Sequence, residues 1–123
     1  RSVEHLLNRY GSLIDEVLEP AEKDSTLLEL ITESLPYLRA EILYAVTHEG
    51  ARSIDDVLAR RTRIAFEAPD QGLSIIDEVA DLISGTLDWN ASGRKKSIQE
   101  YREIITRQNN QLHVATRGKS KVS

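Results

Sequence analysis

Apolar residues recur at helical spacing along most of the chain, and the clearest example is the stretch between Pro36 and Gly50. This stretch is predicted to form a central helix with one apolar stripe made of Leu38, Ile42, Ala45 and Val46. Gly50 is predicted to end this helix, because glycine readily adopts the left-handed conformation of a helix C-cap. Two shorter amphipathic helices are predicted upstream, over residues 3–10 and 13–18.

Capping patterns predict where other helices begin. Three pairs have the spacing of a capping box, in which a hydroxyl and an acidic or amide side chain three positions later bond the first turn: Thr26 with Glu29, Ser53 with Asp56, and Ser74 with Asp77. A last helix is predicted from near Asn90 to about Leu112. No stretch shows the period-two alternation of strands, so the sequence predicts an all-α fold, a compact bundle of about five or six helices.

Length and composition limit the domain organisation. The chain has 123 residues with 40% hydrophobic content, which suits one core and one domain. It lacks cysteine and any apolar run long enough to cross a bilayer, and both features fit a cytoplasmic protein. It also lacks methionine and begins with Arg1, so we interpret it as part of a larger protein. Residues 1–112 are predicted to be the domain, and residues 113–123 a basic, disordered tail.

Charge is distributed unevenly along the chain. Residues 1–93 contain 8 Lys and Arg against 18 Asp and Glu, whereas residues 94–123 contain 8 against 2. The last helix could dock its basic face on the acidic body, or it could contact an anionic membrane surface or a partner domain. Nucleic acid is disfavoured as a partner, because the acidic body repels phosphate and few aromatic residues are present to stack on bases.

Sequence motifs for catalysis or cofactor binding are absent. There is no GxGxxG or P-loop motif, and His5, His48 and His113 lack the spacing of metal ligands. The acidic residues concentrate near helix starts, where capping and the helix dipole account for them. The sequence therefore predicts no catalytic, cofactor-binding or metal-binding residue in this chain.

Three arginines follow the helix capped by Ser53, and each is predicted to act differently. Arg60 lies four residues after Asp56, which predicts an ion pair within one helix. Arg61 lies four residues after Val57, on or beside the apolar face, so it needs a carboxylate partner. Glu41 and Glu49 of the central helix are the two candidates for that partner. Arg63 comes where the helix ends and is predicted to face outward, toward a partner.

The run AEILYAVTHEGARSIDDVLARRTRI, residues 40–64, resembles the C-terminal helical domain of FAD-dependent glycerol-3-phosphate dehydrogenases and the related alpha-glycerophosphate oxidases. The resemblance extends over about residues 1–105. It rests on charged and apolar residues that share the spacing of that family: Ala40-Glu41, Tyr44 with Val46, Glu49, Asp56-Val57-Leu58, Arg60-Arg61-Thr62-Arg63 and Leu87-Asp88-Trp89. It implies structural or interface roles for Glu41, Tyr44, Glu49, Asp56, Arg60, Arg61 and Arg63.

The resemblance also implies that this chain is the C-terminal domain of a larger enzyme, the parent enzyme. That parent would use FAD to oxidise sn-glycerol 3-phosphate to dihydroxyacetone phosphate, passing electrons to a quinone or to oxygen, at the cytoplasmic face of the cell membrane. Its FAD and substrate domain would be the partner of this domain, with homo-oligomer and anionic membrane contacts left open. Two alternatives remain: a free-standing helical interaction module, and a helix-turn-helix DNA binder, which the acidic Asp55 and Asp56 disfavour.

Overall fold

The computed structural model describes the backbone of residues 2–122 and the side chains of residues 4–111. Over this part of the chain every regular element is helical, and an isolated antiparallel bridge joins Leu30 to Leu38. The α-helices are α1 (Ser2–Tyr10), α2 (Ile14–Leu18), α3 (Arg39–Thr47), α4 (Ile64–Glu67), α5 (Ile76–Leu87) and α6 (Ala91–Val122). A π-helix spans Asp56–Arg61, and short 3-10 helices span Gly11–Leu13, Glu19–Glu22, Ser25–Leu28 and Leu73–Ile75. The predicted all-α bundle is confirmed.

The central helix α3 is shorter than the sequence predicts. Leu38 is extended, with ψ at 155°, and the neighbouring Tyr37 carbonyl accepts a 2.8 Å hydrogen bond from the Ile31 N–H. This pairing holds the residues after Pro36 out of the helix, so α3 begins only at Arg39. Gly50 does adopt a left-handed φ of 78°, but it lies in the turn beyond the helix end at Thr47.

Two of the three predicted capping pairs are wrong. Asp24, rather than Thr26, caps the first of these helices, because its Oδ1 accepts a hydrogen bond from the Thr26 N–H at 3.1 Å. Asp70, rather than Ser74, supports the turn that leads into α5, accepting from the Gly72 and Ser74 N–H groups at 3.0 and 2.9 Å. In both places an aspartate accepts hydrogen bonds from N–H groups two to four residues after it, in place of the predicted hydroxyl side chain.

The last helix, α6, begins next to Asn90 as predicted and continues past Leu112. Asn90 Oδ1 accepts from the Gly93 N–H at 2.8 Å and so caps its first turn. The helical backbone extends to Val122, which makes α6 longer than the sequence predicts. The side chains of residues 112–123, including His113, lie outside the described part, and the proposed domain limit at residue 112 stays a prediction.

Two clusters of buried side chains form the core, and α3 lies between them. Ile42 and Ala45 of α3 join the larger cluster with α5 and the inner face of α6, where Tyr101 and Ile105 are buried. Ala40 and Tyr44 of α3 join the smaller cluster, which also contains Leu6, Tyr10, Val17, Leu27 and Leu38. The helix is therefore buried on several sides, and the single apolar stripe predicted for it describes only part of its contacts.

Candidate functional site

Arg60 and Arg61 lie in the last turn of the π-helix and Arg63 lies just beyond it, so the geometry of this helix decides where each arginine side chain lies. Ser53 Oγ accepts from the Asp56 N–H at 3.0 Å, so the capping prediction for Ser53 is confirmed. At the other end, the Thr62 N–H donates to the Val57 carbonyl, five residues earlier, at 2.9 Å. This i to i−5 bond is the signature of a π turn, which is wider than an α turn. Consequently Thr62, rather than Arg61, takes the inward position after Val57.

Buried residues hold the segment that carries the arginines. We call residues 60–66 the arginine segment. Within it, Thr62 is only 2% exposed, and its hydroxyl donates to the Val57 carbonyl at 2.9 Å. Ile64 is fully buried beside Leu58, and both approach Gly72, whose φ of 88° suits glycine. The backbone of the segment is thus anchored from the core side.

Tyr37 ties the same segment to the chain that precedes α3. Its hydroxyl donates to Glu67 Oε1 at 2.7 Å and accepts from the Arg63 N–H at 3.2 Å. Burial, together with the hydrogen bond to the Glu67 carboxylate, raises the pKa of Tyr37 to about 12. The hydroxyl therefore stays protonated, and able to donate, across the physiological range.

The buried phenols make the fold sensitive to alkali. Burial first, and then the nearby Asp55 and Asp70 carboxylates, raise the pKa of Tyr101 to about 12 as well. The folded chain retains both protons between pH 10 and 12, whereas the unfolded chain, with a pKa near 10.0, loses them. Stability from these groups should be complete below pH 10 and should fall as pH rises through 12.

This prediction is checked by following tyrosinate absorbance against pH for the folded chain and for the same chain in denaturant. We expect the folded chain to titrate later and to unfold as it titrates. Coincident midpoints in the two conditions would contradict it.

The outcome differs for each arginine. Arg60 Nε lies 3.7 Å from Asp56 Oδ1, so the predicted pair within one helix is confirmed, and with the Arg60 side chain 74% exposed it contributes little stability. Arg61 is exposed and has no ion pair with any described residue, so its predicted pairing with Glu41 or Glu49 is wrong. Arg63 is exposed as predicted, with its guanidinium carbon 5.5 Å from the centroid of the Phe66 ring. Its contact with a partner stays a prediction.

The two glutamates predicted to pair with Arg61 contact side chains of α1 instead. Glu41 is fully buried, and its Oε1 accepts from the Tyr10 hydroxyl at 3.1 Å and lies 2.8 Å from His5 Nε2. Its Oε2 accepts from the Leu38 N–H at 2.7 Å, which caps α3. Glu49 Oε1 lies 3.7 Å from an Arg9 guanidinium nitrogen. Glu41 of α3 and Glu49, just beyond its end, therefore contact α1 and do not pair with Arg61.

Tyr44 takes part in the same α1 to α3 contact. Its ring stacks on His48 with centroids 4.7 Å apart and meets the edge of Tyr10 at 5.6 Å. Sequence reasoning missed His5 and Tyr10 as partners of α3, because both lie more than thirty residues before Glu41 along the chain. The available signal was an acidic residue, Glu41, placed where it could cap the start of a helix buried on several sides.

Comparison with known proteins places the chain in a family. A family model described as the C-terminal domain of alpha-glycerophosphate oxidase matches residues 1–94. The chain belongs to this family. No solved structure matches it significantly.

Among its relatives, this C-terminal domain is 44% identical over 99 residues to glycerol-3-phosphate dehydrogenase 2 of Mycobacterium tuberculosis. It is 43% identical over 99 residues to the glycerol-3-phosphate dehydrogenase of Mycobacterium leprae, and 31% identical over 104 residues to the mitochondrial enzyme of Arabidopsis thaliana. These matches cover 80 to 85% of the chain but only 16 to 17% of each relative. The domain thus corresponds to the C-terminal part of glycerol-3-phosphate dehydrogenases.

Metal ligands, membrane spans and clefts were compared over the described side chains of this C-terminal domain. They contain no cluster of three or more potential metal ligands. None of the helices, as far as they were described, is long and apolar enough to span a membrane. A cleft of about 250 Å³ lies next to Pro69, and larger clefts of about 440, 420 and 340 Å³ lie beside Arg102, Leu18 and Pro20. Hydrogen bonds from the Ser74 side chain and from backbone N–H groups lower the pKa of Asp70 in the wall of the cleft next to Pro69, so this carboxylate is already engaged in the fold.

Proposed function

We propose that the chain is the non-catalytic C-terminal helical domain of an FAD-dependent glycerol-3-phosphate dehydrogenase. The complete protein would oxidise sn-glycerol 3-phosphate to dihydroxyacetone phosphate and pass the electrons through FAD to a quinone. The observation that carries the proposal is the match to glycerol-3-phosphate dehydrogenases over 80% of this chain and 17% of theirs. FAD and substrate would bind in the remaining part, on which this domain packs.

The contacts of the polar groups support a structural role. The most deeply buried acidic side chain, Glu41, is occupied by α1 and by the start of α3. The Tyr37 hydroxyl is occupied by Glu67 and by the Arg63 N–H, and the Thr62 hydroxyl by the Val57 carbonyl. Groups with their hydrogen-bonding capacity committed to neighbours in the fold are poor candidates for acid, base or ligand roles.

Homo-oligomer contacts and a peripheral position at the inner face of the cell membrane belong to the same proposal. A basic α6 could support contact with anionic lipids. However, Arg94 at its start lies 2.7 Å from Asp81 Oδ1 and 3.5 Å from Asp77 Oδ1. Part of the positive charge of α6 is therefore docked on α5, which favours the intramolecular alternative for that end of the helix.

A domain exchange tests the function. The 99 matching residues of the Mycobacterium tuberculosis enzyme would be replaced by this chain, and a second host variant would lack them altogether. We expect the chimera to retain flavin and to reduce an artificial electron acceptor with glycerol 3-phosphate, and the deletion variant to lose both properties. The isolated chain should carry no flavin.

Two results would contradict the proposal. A chimera no better than the deletion variant would favour a free-standing interaction module. Bound flavin and glycerol 3-phosphate oxidation by the isolated chain would contradict the non-catalytic assignment.

A further inference from the structure

The arginine segment carries positive charge that the acidic domain does not neutralise. Residues 1–93 contain ten more acidic than basic residues, yet Arg61 and Arg63 have no ion pair with any residue whose side chain is described. Four arginines of the described part pair with carboxylates, Arg9, Arg39, Arg60 and Arg94, whereas Arg52, Arg102 and Arg107 also have no ion pair there. Two guanidinium groups left exposed amid such an excess of carboxylates remain available to an external acidic group.

The backbone beneath these two arginines is held rigidly. Arg61 and Arg63 flank Thr62, which is buried, and Ile64 follows with its side chain fully buried. The Ile64 N–H donates to Thr62 Oγ1 at 3.3 Å, and the Arg63 N–H is held by the Tyr37 hydroxyl. A backbone fixed in this way loses little conformational entropy when it meets a partner, so the ordering cost of binding is confined to the side chains.

An exposed aromatic ring extends the charged surface. Phe66 is 67% exposed, more than any other large apolar side chain in the described part, and the Arg63 guanidinium lies beside its ring. Arginine and aromatic side chains are enriched where protein interfaces concentrate their binding energy. Together the three residues have the composition of an interface centre rather than of an ordinary solvated face.

We infer that Arg61, Arg63 and Phe66 form the surface on which this domain docks to a carboxylate-bearing face of the preceding part of its own protein. The inference rests on the proposed function and adds the contact surface to it. The relatives supply the occupant, because this chain matches only 17% of their length and its family is a C-terminal domain, so most of such a protein precedes it in the same chain. Charge complementarity selects carboxylates, which a guanidinium fork can bind through two parallel hydrogen bonds.

A protein surface fits these observations better than an anionic bilayer. The net charge of −10 over residues 1–93 opposes approach to a bilayer that is anionic over its whole area more than it opposes contact with a few carboxylates within screening distance of the two arginines. The apolar component is a single ring, whereas membrane-surface helices present a continuous apolar face. The membrane alternative is therefore an outcome of the test rather than part of the inference.

The test uses the chimera described above with the double substitution Arg61→Glu and Arg63→Glu. We expect the unmodified chimera to unfold in one thermal transition, because docked domains unfold together. In the double variant the domain should unfold separately, and glycerol 3-phosphate oxidation should fall by about tenfold or more, as for central interface residues. Phe66→Ala should also weaken docking, so that the domain unfolds separately and glycerol 3-phosphate oxidation falls.

Two controls separate docking from misfolding. In the isolated chain the double variant should unfold at the same denaturant concentration as the unmodified chain, because both arginines are exposed. Arg52→Glu removes another exposed arginine of the domain, outside the proposed surface, and should leave the chimera unchanged.

The lysine variant tests the geometry of the contact. Arg61→Lys with Arg63→Lys should retain the charge but lose part of the coupling between the domains, because lysine lacks the planar guanidinium fork.

Each remaining outcome contradicts a defined claim. If the unmodified chimera is active and the double variant behaves identically, the docking surface is wrong while the proposed function stands. If the unmodified chimera itself is inactive, the proposed function fails and the docking inference fails with it. If the double variant stays coupled but loses binding to phosphatidylserine vesicles, the surface faces the membrane and the protein contact is wrong.

Discussion

Replacing Glu41 by leucine is expected to lower the free energy of unfolding of the chain by about 3–5 kcal/mol, the cost of breaking a buried polar network. Glu41 is fully buried and engages the Tyr10 hydroxyl, His5 Nε2 and the Leu38 N–H. Without the carboxylate, these groups would lie in the interior with no partner from α3. Denaturant unfolding of both chains, followed by circular dichroism, measures the difference.

Glu78→Gln is the matched control. Glu78 pairs with Arg39 at 2.6 Å, but its side chain is 52% exposed, so water replaces the lost contact and the cost should stay below about 1 kcal/mol. Glu41→Gln should fall between the two variants, because the amide retains one acceptor oxygen. Equal midpoints for Glu41→Leu and Glu78→Gln would show that the network between α1 and α3 contributes nothing to stability.

Truncating Leu58 to alanine is expected to cost about 2–5 kcal/mol, the range for large core side chains that leave a cavity. Leu58 is fully buried, and its side chain approaches Gly72 next to that of Ile64, which belongs to the arginine segment. Its truncation removes contacts on the core side of the segment that presents Arg61 and Arg63. In the chimera, the same variant should therefore also weaken coupling between the domain and the host. Thermal and denaturant unfolding measure both effects.

Leu28→Ala is the control for Leu58. Leu28 is 50% exposed, so its truncation creates no closed cavity and should change stability by less than about 1 kcal/mol. A Leu58→Ala chain as stable as the Leu28→Ala chain would mean that the core can collapse around the missing side chain. In that case the segment would not depend on Leu58 for its position.

Local features were predicted well where only neighbouring residues compete. The Ser53 cap and the pair of Asp56 with Arg60 both lie within one turn and were both found. The predicted caps at Thr26 and Ser74 failed because upstream aspartates reach the same N–H groups. The pattern signalled a helix start in each place, but it did not separate two side chains able to satisfy the same donor.

The position of Arg61 shows how one extra residue in a turn changes a surface. Counting in steps of four from Val57 places Arg61 on the apolar face, and from this we predicted a carboxylate partner. The π turn instead places Thr62 inward, as its hydrogen bond to the Val57 carbonyl shows. A threonine hydroxyl can be satisfied there by the backbone, whereas a buried guanidinium would need an opposite charge. Nothing in the local pattern distinguished an α turn from a π turn.

The sequence by itself determined that the chain is helical, where most helices lie, and which charged residues pair within one turn. These properties depend on apolar periodicity and on contacts between near neighbours, and both can be read along the chain. Only the tertiary structure decided that Glu41 joins His5 and Tyr10, 36 and 31 residues away, and that Arg61 remains exposed. Partners at such separations are set by how helices pack, and that packing minimises unpaired buried groups over the whole core at once.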